Sequence, residues 1–225
     1  MSDDIRKIVE YLSDKYSTSP KLSDIFHSFE RCSRDEANGR SLVQSEEKCI
    51  NFDRLTKWLY KLETPQSADS LTFSKKYVYL IEFKAGNQVA NTGKRERLIR
   101  GVLGKINDSE RTIFNGICSN VEDLEINDVK LRFYLVVDVK EMGISALTLE
   151  LAKLSVGAMA VRDPNIQILM NEVLPDLKDG VQISKHFDQV DIWYSELFEE
   201  YLRAHKIISA DSFIDKMSTS KAINS

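Results

Sequence analysis

The tract Tyr77-Val78-Tyr79-Leu80-Ile81 runs through five apolar or aromatic residues without a polar interruption. That pattern predicts a strand covered on both faces, because a half-exposed strand would alternate. A sheet covered on both sides needs packed layers above and below it, so the chain is expected to be an α/β protein. Ala68 to Phe73 is a second short apolar segment, and with Tyr77 to Ala85 it predicts an antiparallel hairpin. A basic helical stretch follows from Lys94 to about Phe114, with Leu98, Ile99, Val102, Leu103 and Ile106 on one face. Leu131 to Asp138 (LRFYLVVD) is then a third strand. Hairpin, crossover helix and strand predict a mixed sheet in which the third strand lies parallel to a hairpin member.

The flanking segments read mostly as helices. Ile5, Ile8, Val9, Leu12 and Tyr16 form a helical stripe that Ser17 to Pro20 ends. A second helix is expected from about Ser23, with Ile25, Phe26 and Phe29 as its apolar contacts, and Arg31 to Arg40 reads as a loop. From Ser45 to Glu63, the spacing of Cys49, Phe52, Leu55, Trp58, Leu59 and Leu62 predicts a longer helix, closed before Pro65. Ala146 to Val156 has a helical pattern, and Ile166 to Leu174 is ambiguous. Asp188 to His205 carries Val190, Trp193, Tyr194, Leu197, Phe198 and Tyr201 in an amphipathic stripe. The expected organisation is an N-terminal helical segment (1–40), a core (41–140), a helical C-terminal part (141–216) and a small polar tail (217–225).

Chemistry is concentrated at the hairpin. Glu82 and Lys84 are two apart on a strand and project together from an otherwise apolar tract, where charges are costly unless paired or used. An even-numbered hairpin loop puts Asp69 opposite Glu82, whereas a three-residue loop puts it opposite Ile81. In the even case the two Cβ atoms are about 4.5–5.5 Å apart. Carboxylates that close repel one another, and a divalent cation removes the penalty. Oxygen ligands, with a main-chain carbonyl and waters, suit Mg²⁺ or Mn²⁺ better than zinc. Lys84 alongside can orient a nucleophile or stabilise developing charge. The plain alternative is a Glu82–Lys84 pair at a strand end with Asp69 in a turn.

Asp69, twelve intervening residues and then Glu82-Phe83-Lys84 on an apolar strand resemble the PD-(D/E)XK nuclease superfamily, over residues 45–140. Pro65 stands four positions before the aspartate rather than one. The resemblance implies a restriction-endonuclease-like fold and metal-dependent hydrolysis of phosphodiester bonds in DNA, or less readily RNA. It makes Asp69, Glu82 and the Phe83 carbonyl the metal ligands and Lys84 the catalytic lysine. Members often add an acid from the helix before the hairpin, for which Asp53 is the first candidate here, then Glu47, with Glu46 also in range. Stand-alone members often work as homodimers.

Seven basic residues between Lys84 and Arg111 face three acidic ones, in a chain of net charge −4. Lys94, Arg95, Arg97, Arg100 and Lys105 are therefore the candidate nucleic-acid contacts, and Lys105 could also supplement Lys84. His27, His186 and His205 fit no metal or catalytic spacing, and no GxGxxG or GxxxxGK[ST] occurs. Trp193 and Tyr194 read as packing residues. Three scattered cysteines without a CxxC pair point to neither a disulfide framework nor a zinc knuckle, so the expected home is a reducing cytoplasm. No apolar run is long enough to span a membrane. A functional alternative from another class is a catalytically silent member of the fold, or an unrelated α/β module, that binds protein or nucleic acid without cutting it.

Overall fold

A computed structural model describes residues 2–18, 25–61, 63–138, 140–143, 163–181 and 184–204. Its centre is a six-stranded mixed sheet in the order β1 (Phe26–Ser28), β4 (Lys48–Asn51), β5 (Ser70–Phe73), β6 (Tyr77–Lys84), β7 (Lys130–Val137) and β8 (Phe187–Tyr194). Neighbours from β1 to β6 are antiparallel, and β6, β7 and β8 are parallel. The hairpin and the parallel third strand are thus as expected. Helix α4 (Thr92–Arg111) makes the crossover from β6 to β7, and Asn91 caps it by accepting a hydrogen bond from Lys94 N at 2.9 Å.

Alternation along the strands divides the interior into two layers. Leu71, Phe73, Val78, Leu80, Leu131, Phe133 and Leu135 pack on one side with α1 (Asp3–Thr18), α3 (Phe52–Leu59) and α4. Tyr79, Ile81, Phe83, Tyr134 and Val136 face the other side, against Phe29, Val43, Phe198 and Tyr201. Burying a side chain of this size stabilises by about 2 kcal/mol, and Leu80→Ala should cost about 3 kcal/mol through the cavity it leaves. Every residue from Val78 to Phe83 is buried, as the unbroken tract requires.

Four expectations are corrected. Helix α3 occupies only the second half of the 45–63 stretch. Lys48 to Asn51 is a strand whose consecutive Cys49 and Ile50 are buried in opposite layers, which one face of a helix cannot do. Asn51 ends that strand and caps α3 through Arg54 N at 2.9 Å. Instead of a helix near Ser23, Phe26 to Ser28 pairs with β4, and a single turn α2 (Phe29–Cys32) follows. The expected loop from Arg31 to Arg40 contains a small hairpin, β2 (Arg34–Asp35) and β3 (Arg40–Ser41). Gly39, at φ +64°, allows its tight turn.

The fourth correction concerns Asp188 to His205. Here β8 pairs with β7, burying Val190, Ile192 and Tyr194 alternately, and only Ser195–Ala204 (α7) is helical. The apolar spacing satisfied both periods, and the vacant edge of β7 selected the strand. The ambiguous Ile166–Leu174 region is helical: α5 (Pro164–Ile168), a π-helical turn (Leu169–Val173) and α6 (Leu174–Val181). Helix α4 likewise continues into a π-helical turn, Thr112–Ile117. Ala146 to Val156 and Met217 to Ser225 lie outside the described residues. Among those described, no helix is long and apolar enough to cross a membrane.

Candidate active site

The hairpin closes with Phe73 paired to Val78 and opens with Ser70 paired to Ile81, the register of an even loop. One step further, Asp69 faces Glu82 where the two strands part. Asp69 there turns its carboxylate onto β6, and Oδ2 accepts a hydrogen bond from Phe83 N at 2.7 Å. The segment before it is clamped from both sides. Ala68 N donates to Ser109 Oγ of α4 at 2.9 Å, and Phe52 N of α3 donates to the Asp69 carbonyl at 3.2 Å.

Four charges converge at this point. The Lys105 ammonium, reaching from the middle of α4, donates to Asp69 Oδ1 at 3.2 Å and to Glu82 Oε2 at 2.8 Å. The Lys84 ammonium lies 2.6 Å from Glu82 Oε1. That contact is an ion pair outside hydrogen-bond alignment, and it leaves Oε1 buried without a hydrogen-bond partner. Glu82 is wholly buried, whereas the Lys84 side chain keeps 31% of its exposure and opens the cluster to solvent. A lone carboxylate at such a depth would cost several kcal/mol, which the two ammonium groups offset.

The electrostatics follow from this crowding. Burial, and then the neighbouring Glu82 charge, push the Asp69 carboxyl up to about 7 against the pull of Lys105, the Phe83 amide and Lys84. Burial opposes the Lys105 charge, but Glu82 and Asp69 together outweigh it and raise its pKa above the ordinary lysine value. The site therefore holds two acid groups in mutual conflict around one shared cation.

Asp69, Glu82, Lys84 and Lys105 are brought together, and the other expected site residues are not all with them. Asp53, in the first turn of α3, accepts a hydrogen bond from the Ser67 hydroxyl, so it anchors the segment leading to Asp69. Glu46 and Glu47 precede β4, whose far end pairs with β5 beside Asp69. At strand rise they lie on the order of 15 Å from it, which removes them from the ligand set. On α4, Arg95 is ion-paired with Glu172 at 3.1 Å, and Arg97 Nε donates to Gly93 O at 3.1 Å. Lys94, Arg97 and Arg100 are exposed. Arg95 is ten helical residues before Lys105, an axial rise of about 15 Å, so Lys94 and Arg95 are remote from the carboxylates, whereas Arg100 is five residues away, about 7.5 Å along the axis.

Two features at or near the cluster were not legible beforehand. Lys105 bridges both carboxylates, which its position mid-helix alone did not reveal. Buried Asp138, just past β7, donates its N–H to Lys84 O at 3.1 Å and pairs through its carboxylate with Arg40, which also reaches Glu141 at 2.7 Å. Only the parallel register of Lys84 with Val137 brings it there.

Among the described residues, no group of three or more histidine, cysteine, aspartate or glutamate side chains is placed to hold a metal ion. A cation here would rest on Asp69, Glu82, the Phe83 carbonyl and waters or substrate oxygens, as suits Mg²⁺, which keeps several waters. The hydrogen-bond-free Glu82 Oε1 and the mutual conflict of the two acids fit such a group. No family model matches the chain, and no curated protein or solved structure matches it.

Proposed function

We propose that the protein is a divalent-metal-dependent nuclease of restriction-endonuclease-like architecture that hydrolyses phosphodiester bonds in DNA, with RNA as the less favoured substrate. The observation that carries this is the sharing of one ammonium between Asp69 and Glu82, with Lys84 beside them at a solvent-open edge. Bound Mg²⁺ or Mn²⁺ would polarise the scissile phosphate and lower the pKa of an attacking water. Asp69, Glu82 and the Phe83 carbonyl would hold that ion. Lys84 orients the nucleophile and stabilises charge developing on the phosphate oxygens. Lys105 keeps the two acids convergent by bridging them, and its charge next to the ion's position would also offset negative charge on a bound phosphate.

A second function from another class is favoured by one observation. Lys105 already neutralises both carboxylates, so the cluster can also serve as a purely internal ion pair network in a protein that binds without cutting. Purified protein incubated with linear and circular DNA in Mg²⁺ or Mn²⁺ distinguishes the two. The nuclease function requires metal-dependent cleavage that Glu82→Ala abolishes while the far-UV circular dichroism stays native. Cleavage in chelator, or full activity in that variant, refutes it, and absence of cleavage with intact DNA binding supports the binding module.

A further inference from the structure

A groove of about 710 Å³ lies between the C-terminal part of α1, the end of α3 and the π-helical turn after α4. Leu59, Tyr60, Lys61 and Asn115 also border a second groove of about 930 Å³, which reaches Pro65 and Arg111. The combined channel presents Lys15, Lys57, Lys61 and Arg111, against Glu63 as its one acidic lining residue. Among the described residues, Lys15, Lys57 and Lys61 form no ion pair. The Lys15 ammonium lies over the Tyr11 ring, 5.5 Å from its centre, so in a chain of net charge −4 the channel holds a local excess of positive charge without acidic partners.

The same channel carries aromatic rings. Tyr11 and Trp58 are partly buried and pack against the core, which fixes their rings while leaving part of each facing the channel. Tyr60 lies across Gly116, where an added Cβ would meet its hydroxyl at 3.4 Å and Leu59 at 3.3 Å, so the glycine gives the ring its seat. Fixed π-faces interleaved with ammonium groups that have no acidic partner suit stacked bases and their phosphates. A duplex hides its base faces, and a single strand offers them.

Wall residues of the channel are tied to the segment that carries Asp69. Arg111 follows Lys105 by six residues of one helix, an axial rise of about 9 Å. It pairs with Asp108 Oδ1 at 3.0 Å, while Asp108 Oδ2 accepts from Gln66 N at 3.0 Å, three residues before Asp69. Pro65, on the channel wall, is four residues from Asp69, about 13 Å of extended chain. A few nucleotides would bridge the interval.

We propose that this channel binds single-stranded DNA, with phosphates on Lys15, Lys57 and Lys61 and bases against Trp58 and Tyr60, and delivers that strand to the carboxylates. The delivery rests on the nuclease function above; the binding does not. The test is fluorescence anisotropy in chelator, so that no cleavage occurs, using labelled oligodeoxythymidylate of about 15 nucleotides and a duplex of the same length. The intact chain should prefer the single strand. Lys57→Glu with Lys61→Glu, both exposed, should weaken single-strand binding by about tenfold or more and flatten the salt slope by roughly 1.4 units, the share of two phosphates. Tyr60→Ala should weaken it by about fivefold with the slope unchanged, because stacking releases no counterion. Equal affinity for duplex, or an unaltered affinity in the double lysine variant, overturns the proposal. Strand binding with no metal-dependent cleavage removes the nuclease and leaves the channel standing, and cleavage indifferent to the lysine reversal removes the channel and leaves the nuclease.

Discussion

The cluster at Asp69 and Glu82 and the channel along α1 and α3 use charge in opposite ways. At the cluster every charge is half or wholly buried and committed: Lys105 to two carboxylates, Lys84 to one. In the channel Lys57 and Lys61 have no acidic partner among the described residues, Lys15 lies over the Tyr11 ring, and further aromatic rings lie between them. Committed charges have fixed positions, which suits a reacting centre, and removing one exposes its partner to the full cost of burial. Free charges on long side chains hold no single geometry, but they attract a polyanion at little cost to the fold. Substitutions should therefore separate stability and turnover from capture.

The largest effect should come from Lys105→Ala. It strands Glu82 and Asp69 as neighbouring buried acids, so urea unfolding of the metal-free protein should show a loss of about 3 kcal/mol or more. Added Mg²⁺ should return part of that loss if the acids can take up the ion, whereas no destabilisation would mean that the cluster is less committed than its geometry indicates. Next comes Lys84→Ala, which keeps the Lys105 bridge. Turnover in Mg²⁺ should fall by about a hundredfold or more while single-strand affinity changes by less than about threefold. A parallel fall in both would dissolve the distinction between centre and channel.

Proton linkage at Asp69 gives a smaller signal with a definite sign. Its carboxyl titrates at about 7 in the folded chain against 3.8 when unperturbed. The folded state thus binds a proton that the unfolded state has released, and between those values stability attributable to this group declines as pH rises. It is fully present below about pH 4 and lost through pH 7. Asp69→Asn should flatten metal-free stability across that window, as read by thermal unfolding at several pH values. An unchanged slope would show that the burial and the Glu82 repulsion are relieved in solution. The smallest effect is expected from Arg97→Glu with Arg100→Glu on α4, which belong neither to the ion-paired cluster nor to the channel lining. DNA affinity should change by about threefold or less, and a tenfold loss would move the substrate path onto that helix.

Much of the centre could be read from residues alone. An unbroken apolar strand ending in Glu82-Phe83-Lys84 implied an α/β sheet with chemistry at its end, and the choice between the two registers was narrowed to loop parity. The hairpin, the crossover and the parallel third strand follow from local pattern plus chain connectivity. Harder segments were those where neighbours decide. Cys49 and Ile50 fit a helical stripe until β1 and β5 are seen to cover them from both sides. Val190 to Tyr194 fit a helix until β7 offers an open parallel edge. Cys32 and Cys49, far apart in the chain, come within 3.5 Å, sulfur to sulfur, only because α2 folds back over β4.

What the sequence determined by itself is the set of local preferences: the covered strand, the amphipathic α1 and α4, and the placing of Glu82 and Lys84 on one side of β6. Each depends on periodicity and on φ/ψ choices made within a few residues, where the chain carries the whole cause. Tertiary structure decided what is shared between distant residues: Lys105 held between Asp69 and Glu82, Asp138 drawn beside Lys84, and an aromatic, lysine-lined channel assembled from α1, α3 and the turn after α4. A buried charge takes its meaning from partners that fill its surroundings, and those partners are fixed by packing across the sheet.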